Sequence, residues 1–386
     1  MDRVYIFDTT LRDGDQTPGV SFTLEQKLEI AKVLEEMKVD IIEAGFAAAS
    51  EGEFNTVKTV AKEIKDSIVA TLCRTVEKDI DLGWEAVKYA QNPRIHVFIS
   101  TSDIHLQYMM KKTREEVIQI TDAMVKHAKK YCSNVEFSAQ DATRSDVDFL
   151  LKVVKTAVDS GATTVNIPDT VGYITPAEYY ELIKKVKEVV EDKAIISVHC
   201  HDDLGMAVAN SLYALKAGAR QVEGTINGIG ERAGNTALEE VIMAIKVRKD
   251  YYNLYTNIDT TKIYKISQLV STYSGVPIQP NKSIVGLNAF RHQSGVHQHG
   301  VVSNRLNYEI IDPKDIGLEK GGILVLNKNS GRHGLFAKLR ELGYEVPYNL
   351  MENIFIEFKK LADSKGEVKE PDLINLMEKF NIKIKA

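Results

Sequence analysis

The chain has 386 residues, 44% apolar and 27% charged, with a formal net charge of −5, which is the profile of an ordinary soluble enzyme with one large domain and one small one. No basic block is long enough to follow a phosphate backbone and no apolar run approaches the roughly 18 residues of a membrane span, so neither nucleic acid nor a membrane is expected as a partner. The N-terminus opens directly into strand-like Val4-Tyr5-Ile6-Phe7 without a signal-peptide pattern, and a cytoplasmic protein is expected. Cys73, Cys132 and Cys200 are far apart, with no metal-finger spacing, and read as buried small hydrophobes.

In chain order, short β-type runs fall near 3–8, 40–45, 67–73, 94–100, 134–138, 163–167, 194–200 and 220–225, each followed by a longer stretch of helical period. Thr23 with Gln26 and Thr113 with Glu116 fit capping boxes, and Thr175 before Pro176 fits an N-cap with proline at the first helical position. Eight such units over about 250 residues match a closed α/β (β/α)8 TIM barrel. A doubly wound sheet would carry a glycine-rich phosphate turn, and no G-x-G-x-x-G follows the first run. After about residue 275 the pattern lapses at Ser274-Gly275-Val276-Pro277-Ile278-Gln279-Pro280-Asn281, and helical segments follow near 331–343, 347–364 and 370–380. The organisation expected is a catalytic barrel over 1–275, a linker or first subdomain over 276–320 and a helical second subdomain over 321–386.

Barrel enzymes work at the C-terminal ends of their strands. Asp13 follows the first strand, Glu43 ends the second, His96 lies on the fourth, Ser138 and Gln140 end the fifth, and Thr170 follows the sixth. In Val198-His199-Cys200-His201-Asp202-Asp203 the two imidazoles fall on one face of the seventh strand, so both can reach one ion together with Asp13. Gly224 to Asn235, after the eighth strand, adds Glu231, Arg232 and Asn235 on a glycine-rich loop that permits close backbone approach. These residue types point to a metalloenzyme.

Four runs carry a resemblance: Asp8-Thr9-Thr10-Leu11-Arg12-Asp13-Gly14, Asn166 to Tyr173, His199 to Asn210, and Gly224 to Asn235. They resemble the 2-isopropylmalate synthase family, which stands with homocitrate and citramalate synthases among the Asp-Arg-Glu TIM-barrel metallolyases. Gly45-Phe46-Ala47-Ala48-Ala49-Ser50 and Cys200-His201-Asp202-Asp203-Leu204-Gly205 are more similar to the isopropylmalate branch. The resemblance implies a Claisen-type condensation of acetyl-CoA with a 2-oxo acid, 2-oxoisovalerate in that branch, followed by thioester hydrolysis. A divalent ion (Mn²⁺, Zn²⁺, Mg²⁺ or Co²⁺) would be held by Asp13, His199 and His201, with Asn235 as a further ligand. Arg12 would stabilise the developing oxyanion; a structural ion pair with Glu231 is the alternative role, and both can hold at once. Thr170 would bind the oxo-acid carboxylate, and His96, Ser138 and Asn166 would shape the acceptor pocket. His292 to Gly300 and Tyr308 resemble a segment that reaches a partner subunit's active site, which implies a homodimer and makes His297 and Tyr308 candidates in catalysis.

The chain also departs from the family pattern. Phe137-Ser138-Ala139-Gln140-Asp141 replaces a common Phe-Ser-x-Glu-Asp, and a carboxamide takes no proton; loss of a general base typically costs about 10²–10⁴ in rate. Asp15 stands where glutamate is usual, and Gln293 and His299 replace acidic neighbours of His297. His297 and a water are then expected to carry the proton transfer without a carboxylate at residue 140. No C-terminal leucine-binding domain is expected within these residues. Citramalate or homocitrate synthesis from pyruvate or 2-oxoglutarate is the alternative within the class. A non-catalytic binding barrel and a metal-dependent hydrolase are the alternatives outside it.

Overall fold

The computed structural model describes residues 1–319 and 323–384. The expected border between the two accessory subdomains, at 320 and 321, lies outside the described residues. Eight strands alternate with eight helices: β1 Tyr5–Asp8, α1 Leu24–Glu36, β2 Ile41–Glu43, α2 Glu51–Glu63, β3 Ile68–Arg74, α3 Glu77–Val87, β4 Pro93–Ser100, α4 Arg114–Tyr131, β5 Val135–Gln140, α5 Val147–Asp159, β6 Thr164–Asp169, α6 Pro176–Val190, β7 Ile195–Cys200, α7 Ala207–Ala217, β8 Gln221–Gly224 and α8 Leu238–Val247. All neighbours are parallel, and β1 pairs with both β2 (Phe7 opposite Ile41) and β8 (Tyr5 opposite Gln221), which closes the expected barrel.

Strand β7 shows why this sequence builds such a barrel. Ile196, Val198 and Cys200 alternate with Ser197 and His199, and all five are buried. The apolar set meets the helical layer, with Cys200 interacting with Tyr179 of α6 and Ser211 of α7. The polar set bonds across the interior, Ser197 to Glu223 and to Gln221. Successive side chains of a strand point to opposite faces, so a single run supplies both layers. Each fully buried aliphatic side chain in the outer layer contributes about 1.5–3 kcal/mol.

The helices start where their signals lie. Thr23 and Gln26 form a reciprocal capping box on α1, and Thr113 and Glu116 form one on α4. At α6, Pro176 occupies the first turn, and Glu178 accepts a hydrogen bond from the Thr175 N–H at 3.1 Å. All three cysteines are free and buried, as expected. Among the described residues no helix is long and apolar enough to cross a membrane.

The chain divides into two compact units, Met1–Ile278 and Gln279–Ala386. The first holds the barrel and α9 (Ile263–Ser274), which ends at Gly275 in the left-handed region. The second contains α10 (Gly295–Ser303), α11 (Arg332–Glu341), α12 (Met351–Lys365) and α13 (Glu370–Lys379). Its core is Leu335, Leu339, Ile354, Phe358, Leu373 and Met377, and Leu326–Asn327 pairs antiparallel with Glu367–Val368.

Candidate active site

Asp13, His199 and His201 come together, all buried, each offering a ligand atom within 4.8 Å of the others. His199 Nε2 is 3.3 Å from His201 Nε2 and 3.3 Å from Asp13 Oδ2, and His201 Nε2 is 3.8 Å from the same oxygen. Two imidazoles bound to one ion at roughly 2.0–2.1 Å bring their nitrogens to roughly 3.0–3.4 Å of each other, so this donor set fits a divalent metal. Burial, reinforced by the neighbouring His199, lowers the His201 pKa to about 4, so its imidazole is neutral at physiological pH, the form that can bind a metal. Burial alone would raise the Asp13 carboxyl, but Arg12, His199 and His201 hold it well below the ordinary carboxylate range.

Asn235, on the loop after β8, lies in a backbone bridge opposite His201. Its Nδ2 donates to the Ile229 carbonyl at 3.2 Å, leaving Oδ1 as the free acceptor. Asn235 Oδ1 and Asp13 Oδ1 are both buried without a hydrogen-bond partner, a costly state that a bound cation relieves. Gly230 makes the approach possible: a Cβ there would fall 1.9 Å from Asn235 Nδ2 and 3.2 Å from Asp13 Oδ1.

The alternative of an Arg12–Glu231 ion pair is not what the structure has. Its Nε donates to Glu43 Oε2 at 2.7 Å and its Nη1 to Asp13 Oδ2 at 2.8 Å, whereas Glu231 is exposed on the loop after β8. The reason is the parallel pairing of β1 with β2, Asp8 opposite Ile42, which sets the end of β2 beside the turn after β1. Glu43 also accepts from His96 Nδ1 at 2.7 Å, and His96 Nε2 meets the Ser138 hydroxyl at 2.6 Å, itself bonded by Asn166 Nδ2 at 2.8 Å. His96, Ser138 and Asn166 therefore form one connected wall. Burial would raise the Glu43 pKa, but Arg12 and His96 outweigh it and hold it at about 2.

Below this wall lies a polar layer not anticipated from sequence. Arg94 Nη1 donates to Glu136 Oε2 at 2.6 Å and to Gln221 Oε1 at 2.9 Å, and Gln221 Nε2 donates to Glu136 Oε1 at 2.8 Å. Glu223 Oε2 lies 3.5 Å from His199 Nδ1, behind the candidate ligand. Burial and the nearby Glu136 raise the Glu223 pKa well above normal. The detectable signal was strand alternation: Glu136, Gln221 and Glu223 occupy the same parity as Ser138 and Ser197 in β5, β8 and β7.

At the rim, Gln140 Oε1 accepts from the Ser100 hydroxyl, and Thr170 Oγ1 accepts from the Asp141 N–H at 2.9 Å. Arg232 ties three loops by donating to Asp203 Oδ1 at 2.8 Å and to the Thr170 carbonyl at 2.8 Å. In the second unit His297 stacks on Tyr308 with ring centroids 4.1 Å apart.

Comparison with known proteins places this geometry. The HMGL-like family model matches residues 3–270, and the model for the homocitrate synthase post-HMGL domain-like family matches residues 284–366. A 2-isopropylmalate synthase of Dictyoglomus turgidum is 56% identical over 375 residues, spanning 97% of this chain and 74% of that protein. One from Pyrococcus abyssi is 54% identical, spanning 100% of this chain and 80% of the relative. Among solved structures, an HMG-CoA lyase from Bacillus subtilis superposes with a TM-score of 0.62 at 19% identity, over 72% of this chain and 96% of the lyase, a likeness of fold.

Proposed function

Since the chain belongs to the HMGL-like family and, within it, to the 2-isopropylmalate synthases, we propose that it is the acyltransferase that condenses acetyl-CoA with 2-oxoisovalerate, giving 2-isopropylmalate and CoA in leucine biosynthesis. The observation that carries the reading is the buried Asp13–His199–His201 donor set with the Arg12 guanidinium 2.8 Å from Asp13.

When bound, a divalent ion on Asp13, His199, His201 and Asn235 supplies Lewis-acid polarisation of the 2-oxo group. The remaining work falls to the chain. A proton leaves the methyl of acetyl-CoA, the resulting carbon attacks the ketone, and water then cleaves the thioester to release CoA. Arg12 is always charged and is held in place by Glu43, which suits it to stabilise the oxyanion formed during attack. Thr170 orients the oxo-acid carboxylate, and His96, Ser138 and Asn166 present a pre-bonded wall to the acceptor. Thr170 and the wall would then fix the attack geometry. His297, stacked on Tyr308, is the proposed proton carrier for the active site of a partner subunit, and Glu231 contributes charge at the mouth. A cytoplasmic homodimer using Mn²⁺, Zn²⁺, Mg²⁺ or Co²⁺ is part of the same proposal.

The test is CoA thiol release from acetyl-CoA with a divalent metal, across 2-oxoisovalerate, pyruvate, 2-oxobutyrate and 2-oxoglutarate. Preference for 2-oxoisovalerate is the expected result. Preference for 2-oxoglutarate, the acceptor suggested by the homocitrate synthase-like match over residues 284–366, would move the chain to the sister activity. Silence with all four would sink the reading.

A further inference from the structure

Gln140 and Thr170 share a hydrogen-bonding bias. Glu136, Ser138 and Gln140 follow one another at every second position of β5, and the first two are bonded inside the barrel, so Gln140 is the last inward-facing residue of that strand. The next residue is tied to the neighbouring strand's exit, with the Asp141 N–H donating to Thr170 Oγ1 at 2.9 Å. The Gln140 carboxamide oxygen is taken by the Ser100 hydroxyl, and His105 Nδ1 stands 3.2 Å behind Ser100 Oγ. With Oε1 accepting from Ser100, the amide has its two N–H donors left to give. With its oxygen accepting from Asp141, the Thr170 hydroxyl likewise has its hydrogen to give. Both groups present donors, and a carboxylate is an acceptor-only partner with two oxygens.

We propose that Gln140 and Thr170 form a two-donor cradle for the carboxylate of the 2-oxo acid, with Ser100 and His105 as positioning residues that hold the amide in its donating orientation. This rests on the proposed function and changes the meaning of the residue. A glutamate at 140 would turn a charge and lone pairs toward an anion; the amide turns two hydrogens toward it. Residue 140 in this chain binds the acceptor and takes no proton.

The test is steady-state kinetics on the metal-loaded enzyme together with calorimetric titration of 2-oxoisovalerate alone. Gln140→Glu is expected to weaken oxo-acid binding about tenfold or more and to raise its KM in step, while KM for acetyl-CoA and metal content stay unchanged. Gln140→Met, which keeps shape without charge, and Thr170→Val should each weaken binding by about three- to tenfold, with Thr170→Ser restoring it. Ser100→Ala, which frees the amide to turn over, should give a smaller loss of the same kind. Native-like oxo-acid binding in Gln140→Glu and Gln140→Met, or a higher kcat in Gln140→Glu, would overturn the cradle while native turnover leaves the proposed function standing. A native enzyme that neither binds nor turns over any 2-oxo acid would overturn both.

Discussion

Arg12 Nε lies 2.7 Å from Glu43 Oε2 while Nη1 of the same guanidinium lies 2.8 Å from Asp13 Oδ2, so one cation spans the end of β2 and the candidate metal ligand. Glu43 also accepts from His96 Nδ1 at 2.7 Å and thereby fixes both the proposed oxyanion-stabilising group and one wall of the proposed acceptor pocket. Glu43→Gln keeps the volume but loses the charge that orients Arg12. A fall in kcat of about 10²–10³ is expected, the size of losing one preorganised donor, with metal content unchanged. Kinetics paired with metal analysis separate the outcomes: retained kcat would remove Glu43 from the catalytic arrangement, and metal loss would show that Asp13 depends on it.

Metal binding itself is testable without turnover. A ligand that binds only the folded state stabilises it by about 2.7 kcal/mol at a hundred times its dissociation constant. Mn²⁺, Zn²⁺ or Co²⁺ should therefore raise the melting temperature of the metal-stripped protein by several degrees, and His201→Ala should abolish the rise. The stripped protein should keep its circular dichroism, because barrel closure rests on strand pairing and the outer apolar layer. A shift that survives His201→Ala would place the ion elsewhere.

Much of this site was legible because strand parity survives in one dimension. Ile196 to His201 states in its own order which side chains meet helices and which enter the barrel, and Asp13, one turn past β1, could be placed against them. Partner choice was not legible. Glu43 was visible at a strand end, but its bond to Arg12 spans 31 positions and depends on which side chains meet where β1 pairs with β2, so the only ion-pair partner the sequence offered Arg12 was Glu231, on the loop beside the histidines. The lower layer of Arg94, Glu136, Gln221 and Glu223 was missed for a different reason. Short strands were read by their apolar outer residues, and the polar inner ones passed as interruptions. Ser100 capping Gln140 could not be anticipated either, because it rests on the register of β4 against β5.

That lower layer makes a stability prediction. Glu136 is fully buried, and its two oxygens take Arg94 and Gln221 at 2.6 and 2.8 Å. Removing one member of a buried ion pair leaves an uncompensated charge, typically at about 3–5 kcal/mol. Glu136→Ala should lose about that much in urea unfolding, and Arg94→Met combined with Glu136→Leu should recover a large part of it. A loss under about 1 kcal/mol for Glu136→Ala would show that Arg94 is adequately held by Asn134 and Gln221 alone.

The last prediction concerns pH. Asp8 is fully buried and bonded to the Thr10 N–H at 2.9 Å and hydroxyl at 3.0 Å, while Thr10 Oγ1 accepts the Ile226 N–H at 2.9 Å, joining the exits of β1 and β8. Burial raises its pKa to about 7, with Thr10 opposing the shift and Glu239 adding to it. The sign follows from linkage: between about pH 4 and 7 the unfolded chain has released this proton and the folded chain has kept it, so raising the pH costs stability across that window. Above about pH 7 both states are ionised and the penalty is constant, on the order of 4 kcal/mol. Asp8→Asn keeps an acceptor for the Thr10 N–H and removes the titration. Relative to the native chain it should be destabilised at pH 5 by about one hydrogen bond, roughly 1 kcal/mol, and gain steadily until it is the more stable form at pH 8. Urea unfolding of both proteins at pH 5, 6, 7 and 8 reads this directly, and a stability difference that stays flat across the series would mean that Asp8 titrates as an ordinary aspartate.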